Sequence, residues 1–345
     1  MARLARFWHG PRARALLCAV LAACLLLGIW LDGAQPRHVL QVALAALALG
    51  CAVLWRARDG RGGKPMASAR GRELQARLDG AIAGGEFRFH YQGKFDTAQL
   101  RLVGLEALLR WEHPRHGLVY PNEFIGLAEQ TDAIVALGNW GIDAACRQLA
   151  QWRAADLPLV PVAVNISARQ LCQPHLPDFV LGCLRRHAIA PGLLELEVTE
   201  SCCIDDMAQA TQVLRQLRAL GLAISLDDYG TGHSGLSHVR MLPIHTIKID
   251  RCFIGDLGSA DSDTVIVAST IALARGLGLQ VLAEGVENAR QLARLRRLGC
   301  PQVQGFYLHR PACASDVAAL LAAGVPAGHV TAPKHGAMRP GVDAQ

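Results

Sequence analysis

Residues 193–228 read LLELEVTESCCIDDMAQATQVLRQLRALGLAISLDD. The stretches 193–199 and 222–227 are short apolar runs with strand character. Between them, 207–220 spaces its apolar residues as a helix does. A strand, a helix and a second strand in this order form a parallel unit. Working outward, the alternation recurs. Strand-like runs fall at 87–92, 102–109, 160–166, 193–199, 222–227, 246–250, 280–283 and 303–308. Helical patterns fall at 121–129, 136–153, 176–187, 207–220, 264–276 and 289–298. Eight such runs in about 220 residues predict an α/β fold, and eight suits a closed TIM-like (β/α)8 barrel. An open doubly wound sheet is the runner-up, but no G-x-G-x-x-G follows the first strand.

A polar residue stands in or at the end of nearly every run. Glu106 lies in the second, Asn165 in the third and Glu197 in the fourth. Asp227 and Asp228 end the fifth, Lys248 and Asp250 lie in the sixth, Glu284 closes the seventh and Gln304 lies in the eighth. In a barrel the C-terminal strand ends converge on one mouth. A single acid at a strand end is more often a helix cap or a turn residue; the repetition along the chain argues for a site. Burying several carboxylates together is costly without cations. The ligands are all oxygen, which predicts a hard metal, Mg²⁺ or Mn²⁺, and suits two-metal phosphate chemistry with a water made nucleophilic.

The composition divides the chain. It is 51% hydrophobic and 19% charged with a mean hydropathy of +0.22, which excludes a largely disordered chain. Residues 1–72 carry 11 Lys/Arg and 2 Asp/Glu, whereas 73–345 carry 24 and 27. The net charge of +6 is therefore an N-terminal feature, and no nucleic acid polymer is expected as a partner. Residues 15–31 hold no charge and 39–55 are broken only by Gln41; each helix of about 26 Å just spans a bilayer core of ~30 Å with help from its flanks. Gly33 and Pro36 lie in the short turn between them, and Trp30 and Trp55 at segment ends. This predicts a transmembrane α-hairpin. Arg3, Arg6, Arg12 and Arg14 before it, and Arg56, Arg58, Arg61, Lys64, Arg70 and Arg72 after it, place both ends in the cytoplasm. A cleaved signal peptide is the rival reading, opposed by the second apolar segment. The expected organisation is a basic N-terminus (1–14), the hairpin (15–55), a linker (56–72), one large domain (73–322) and a disordered tail (323–345). The 11 cysteines show no C-x-x-C pair and read as small apolar filler.

The motifs E-A-L-L-R-W at 106–111, N-I-S at 165–167, L-E-L-E-V-T-E-S at 194–201, D-D-Y-G-T-G at 227–232, K-I-D at 248–250, A-E-G-V-E at 283–287 and Q-G-F-Y at 304–307 closely resemble those of the EAL domain family, bacterial cyclic-di-GMP phosphodiesterases. The resemblance runs from about residue 73 to 321. It implies a modified (β/α)8 barrel whose first strand is antiparallel to the rest. It implies cleavage of one phosphodiester of cyclic-di-GMP to give linear pGpG with Mg²⁺ or Mn²⁺, two ions per site. By motif position, Glu106, Asn165, Glu197 and Asp227 would ligate the first metal, with Asp227 bridging and Asp228 helping to hold the second. Lys248 would orient or activate the attacking water, and Glu284 takes the family's catalytic and metal-site glutamate position. Gln304 would hold the water or second-metal surroundings. Gln92 and Arg110 would contact substrate. Glu200 would anchor the D-D-Y-G-T-G loop, and Glu287 would support the site.

The departures are few. Gly93 replaces the Pro of a Tyr-Gln-Pro motif, which is expected to loosen that strand end. Tyr229, His233 and Gly235 replace Phe, Tyr and Ser in and after the loop, a region that couples metal binding to dimer contacts in the family. The expected protein is an active phosphodiesterase, a homodimer tethered to the bacterial inner membrane with its domain in the cytoplasm. The alternatives are a catalytically weak EAL-type cyclic-di-GMP receptor acting through protein contacts, and a membrane-assembly platform.

Overall fold

A computed structural model describes residues 69–199, 207–230, 241–255, 257 and 261–323. The predicted spans 15–31 and 39–55, most of the linker and tail, Glu200, His233 and Gly235 lie outside the described residues. Among the described residues no helix is long and apolar enough to cross a membrane.

Nine strands form one sheet: β1 (Phe87–Asp96), β2 (Leu102–His113), β3 (Gly117–Val119), β4 (Val162–Ile166), β5 (Leu194–Thr199), β6 (Ala223–Tyr229), β7 (Thr246–Ile249), β8 (Gln280–Ala283) and β9 (Gln302–Val303). The hydrogen-bonded order is β1-β9-β8-β7-β6-β5-β4-β2-β3, and β1 also pairs with β2. That last pairing closes a ring of eight strands and leaves β3 outside it, as the second arm of a hairpin on β2. The open-sheet reading is thereby excluded. β1 runs antiparallel to both its neighbours, β2 and β9, and the remaining ring pairs are parallel.

The two-residue alternation of a strand sorts side chains between barrel and helices. On β5, Leu194, Leu196 and Val198 belong to the main apolar core, while Glu195 and Glu197 face inward, where they meet Lys94 of β1. Helices Ala133–Ala154, Leu176–His187 and Met207–Ala219 cover the outer face. A second cluster, built on Phe87, Trp111, Phe124, Leu74 and Leu78, fills the space under the β1–β2 hairpin. Of the described cysteines, Cys146, Cys183 and Cys300 are buried, as filler should be, but Cys172 and Cys252 are exposed.

Several boundaries differ from the sequence reading. The first described helix runs Ala69–Ala83 and so begins inside the expected linker, and a helix at Ala314–Ala323 closes the described chain. Of the run at 303–308 only Val303 joins the sheet, in a strand with Gln302 before it. The reason is a close crossing of two loops: a Cβ on Gly305 would stand 2.2 Å from Val286 N and O. The Val286 N–H donates to Gln304 O and the Tyr307 N–H to Val286 O, both at 3.0 Å. This lacing fixes the loop carrying Glu284 to the one carrying Gln304.

Gly93 does not loosen its strand. β1 continues through it in register, with Gln92 opposite Glu106 and Gly93 opposite Leu105. The Gly93 N–H donates to His309 Nδ1 at 3.2 Å, and a Cβ would stand 2.7 Å from the ring of the buried Phe95. Gly93→Pro therefore removes a donor from a buried acceptor and overfills the core. The expected cost is about 2–4 kcal/mol, read as a fall in the thermal unfolding midpoint.

Candidate functional site

Five ring strands and two strand-following residues build one polar centre at the C-terminal strand ends. Strand register brings Asn165 beside Glu197 and Thr199 beside Asp227. Glu284 directly follows β8 and Gln304 directly follows β9. In a regular strand Asp227 and Asp228 would face opposite sides. The β6–β7 register slips between Leu226 and Tyr229 and Asp228 adopts φ +56°. This bulge, of a kind that re-aims side chains beside functional sites, holds Asp228 within electrostatic reach of Asp250, Lys248, Glu106 and Glu197.

Lys248, 1% exposed, is the hub. Its Nζ lies 2.7 Å from Glu197 Oε2, 2.7 Å from Glu284 Oε1, 3.1 Å from Asp227 Oδ1 and 3.9 Å from Glu106 Oε1. Glu106 is held from two further sides: Gln304 Nε2 donates to its Oε2 at 2.6 Å and Asn165 Nδ2 to its Oε1 at 3.3 Å. Turning the Asn165 amide over would present Oδ1 to the centre instead. Gln92 uses both ends of its amide internally, accepting from Gln304 Nε2 at 3.1 Å and donating to His309 O at 3.0 Å; as placed, it orients Gln304. Arg110 lies four residues beyond Glu106 on the same face of β2, about 13 Å further along. Its guanidinium stacks 5.0 Å over the Tyr120 ring, and its Nε is buried without a hydrogen-bond partner.

Burial and crowding set the protonation of the cluster. Burial would raise the Glu197 carboxyl, but the ammonium groups of Lys248 and Lys94 outweigh it and hold the group down to about 2. Burial, with Asp227, Glu106 and Glu197 nearby, pushes Glu284 up to about 8 against the pull of Lys248. Burial first, then neighbouring carboxylates, also raises Glu106, Asp227 and Asp228. Burial works to lower the Lys248 ammonium, but its four carboxylate partners raise it well above the usual lysine value.

The sequence reading missed the floor of this centre. Lys94, 3% exposed, lies 2.7 Å from Glu197 Oε1 and 3.1 Å from Glu195 Oε1, and the Ser225 hydroxyl donates to the same Glu195 oxygen. The signal was available: Lys94 is two residues from Gln92 on β1, and Glu195 two from Glu197 on β5, so each shares the inward face. Among the described residues Glu287 makes no carboxylate contact with the centre: it is exposed, and its backbone N–H donates to Gln291 Oε1 at 2.7 Å.

The residues present fit hard dications. Among the described residues, six carboxylates, from Glu106, Glu195, Glu197, Asp227, Asp228 and Glu284, meet two ammonium groups, those of Lys94 and Lys248. The donors are all oxygen, and Gln304 Oε1 is buried with no hydrogen-bond partner. A separate acidic and histidine group, Glu73, His113 and His116, brings one ligand atom from each within 4.8 Å. It sits seven residues beyond Glu106 on β2, about 23 Å along the strand. There His113 Nδ1 accepts the backbone N–H groups of Arg115 and His116 at 3.1 and 3.2 Å. The proton of the neutral ring is then on Nε2, which makes that atom a donor rather than a metal ligand.

Residues 75–311 match the EAL domain. The chain is 45% identical over 233 residues to the bifunctional diguanylate cyclase/cyclic di-GMP phosphodiesterase MucR of Pseudomonas aeruginosa, covering 68% of this chain and 34% of that protein. It is 40% identical over 239 residues to the cyclic di-GMP phosphodiesterase NbdA of the same organism, covering 69% and 30%. It thus spans about a third of the length of these relatives. A solved structure of the PaMucR phosphodiesterase in a c-di-GMP complex superposes with a TM-score of 0.68 at 43% identity, covering 71% of this chain and 99% of that one.

Proposed function

The chain belongs to the EAL domain family, and from that premise we infer that it hydrolyses cyclic di-GMP to linear pGpG at the carboxylate centre of its barrel. One observation carries the reading: a single buried ammonium, Lys248, is shared by carboxylates from four separate strands or strand ends. A receptor needs contacts to a dinucleotide; it has no need of a centre so rich in crowded acids, whose burial costs stability.

Glu106, Asn165, Glu197, Asp227, Asp228 and Glu284 would hold one or two Mg²⁺ or Mn²⁺ ions, which supply phosphate charge neutralisation and a more acidic water. Lys248, whose three N–H donors face Glu197, Glu284 and Asp227, would orient the attacking water with a donor freed when those carboxylates turn to the ions. Glu284, whose Oε1 lies 2.7 Å from Lys248 Nζ, takes the proton of the water that Lys248 orients. Arg110 presents the flat donor edge that suits a phosphate oxygen pair. Gln304, steadied by Gln92, holds Glu106 Oε2. Residues 15–31 and 39–55 anchor the chain in the bacterial inner membrane with the barrel in the cytoplasm, where the enzyme works as a homodimer.

The full chain in detergent, given cyclic di-GMP, should yield pGpG with Mg²⁺ or Mn²⁺ and none with excess chelator. Tight binding without cleavage would support the receptor reading instead. Membrane fractionation, with protease reaching the barrel only from the cytoplasmic side, tests the anchor.

A further inference from the structure

We propose that Lys94 is a positioning residue that grips Glu197 from beneath, so that Glu197 offers a single oxygen, Oε2, to the dication. This rests on the reading of the centre as a metal site. Glu197 has its two oxygens on different ammonium groups: Oε1 is 2.7 Å from Lys94 Nζ and Oε2 is 2.7 Å from Lys248 Nζ. A carboxylate held on both sides cannot turn about its last torsion. When a dication takes Oε2, Lys94 keeps the other oxygen occupied and blocks two-oxygen coordination.

Lys94 brings its own counter-charge. Glu195 Oε1 lies 3.1 Å from Nζ and is steadied by the fully buried Ser225 hydroxyl. The Lys94–Glu195 pair is neutral as a unit, so its effect on the layer above is orientation rather than net charge. The lysine stem runs beside its register partner Gly104, where a Cβ would make ordinary contact with it, 3.5 Å from Lys94 Cδ. Barrel interiors are usually filled by branched apolar residues, and a neutral buried ion pair can often be exchanged for residues of similar volume without loss of stability. A purely architectural role would therefore leave metal binding unchanged after such an exchange.

The test is calorimetric titration of Mn²⁺ into the full chain without substrate, comparing the wild type with the double variant Lys94→Met/Glu195→Gln, which keeps volume and net charge. The expected result is a thermal unfolding midpoint near that of the wild type, Mn²⁺ affinity lowered about tenfold, and a fall in kcat with KM held. A stable double variant with wild-type Mn²⁺ affinity overturns the proposal. A wild type that binds no Mn²⁺ overturns the metal reading itself, which separates the two failures. Should the double variant not fold, Lys94→Arg decides, because the guanidinium still donates to Glu197 Oε1. Its Mn²⁺ affinity must stay within about twofold of the wild type, and a tenfold loss overturns the proposal.

Discussion

Glu106→Gln is expected to lower the hydrolysis of cyclic di-GMP at least ~100-fold, the scale of a misplaced reacting group, while leaving the unfolding midpoint of the metal-free protein unchanged or higher. Glutamine keeps the volume of Glu106 and loses its charge. The wild-type carboxylate accepts from Gln304 Nε2 on Oε2 and from Asn165 Nδ2 on Oε1, and faces Lys248 at 3.9 Å. A glutamine amide sets its oxygen on one side and its NH₂ on the other, so the neighbour that faces the NH₂ must turn its own amide over to accept. The site for a cation is therefore disordered at its most connected ligand. Stability moves the other way because burial and its acidic neighbours already raise the Glu106 carboxyl, so removing it relieves crowding. Loss of turnover with retained or raised stability is the pattern of a group kept for chemistry. Full hydrolysis by Glu106→Gln would refute the assignment of this centre.

Much of the centre was legible because strand alternation is short and strict. Once 193–199 and 222–227 were read as parallel neighbours, the acids at their ends had to converge. The antiparallel first strand came from the family resemblance. The apolar pattern alone could not supply it, since burial is the same for either strand direction. The bulge at Asp227–Asp228 was hidden because a pair of aspartates before Gly230 also reads as an ordinary turn. The strand at 303–308 was overread because Gln304 to Leu308 has strand composition, whereas the decisive fact is the contact of Gly305 with the Val286 backbone, a partner 19 residues away in sequence. Lys94 and Glu195 were overlooked for a different reason. Charges in the middle of a strand are more often on a solvated face, and only the closed ring turns that face into an interior.

Lys248→Met is expected to destabilise the metal-free protein by about 3–5 kcal/mol at pH 8, the cost of removing one partner from a buried ion cluster, and by much less at pH 5.5. The sign follows from linkage. Glu284 is raised to about 8 in the folded protein, above its unfolded value of about 4.3. Between those limits the fold holds a proton that the unfolded chain has lost, so this group lowers stability as pH rises through the interval and adds no further change above it. Glu197 runs the opposite way: held down to about 2, it contributes stability above the ordinary carboxylate range and loses it as pH falls toward 2. In the wild type Lys248 offsets the first effect by pairing with Glu284, Asp227 and Glu106. Without it these acids can relax only by taking up protons, which is easy at pH 5.5 and difficult at pH 8. Thermal unfolding in chelator at both values reads the difference, and equal losses at the two would refute the account. Saturating Mn²⁺ at pH 8 should restore most of the midpoint by supplying the missing positive charge, yet turnover should stay at least ~100-fold down, because a dication shared by the carboxylates leaves no N–H donor to orient the water. Recovery of both together would mean that Lys248 serves only as a counter-ion.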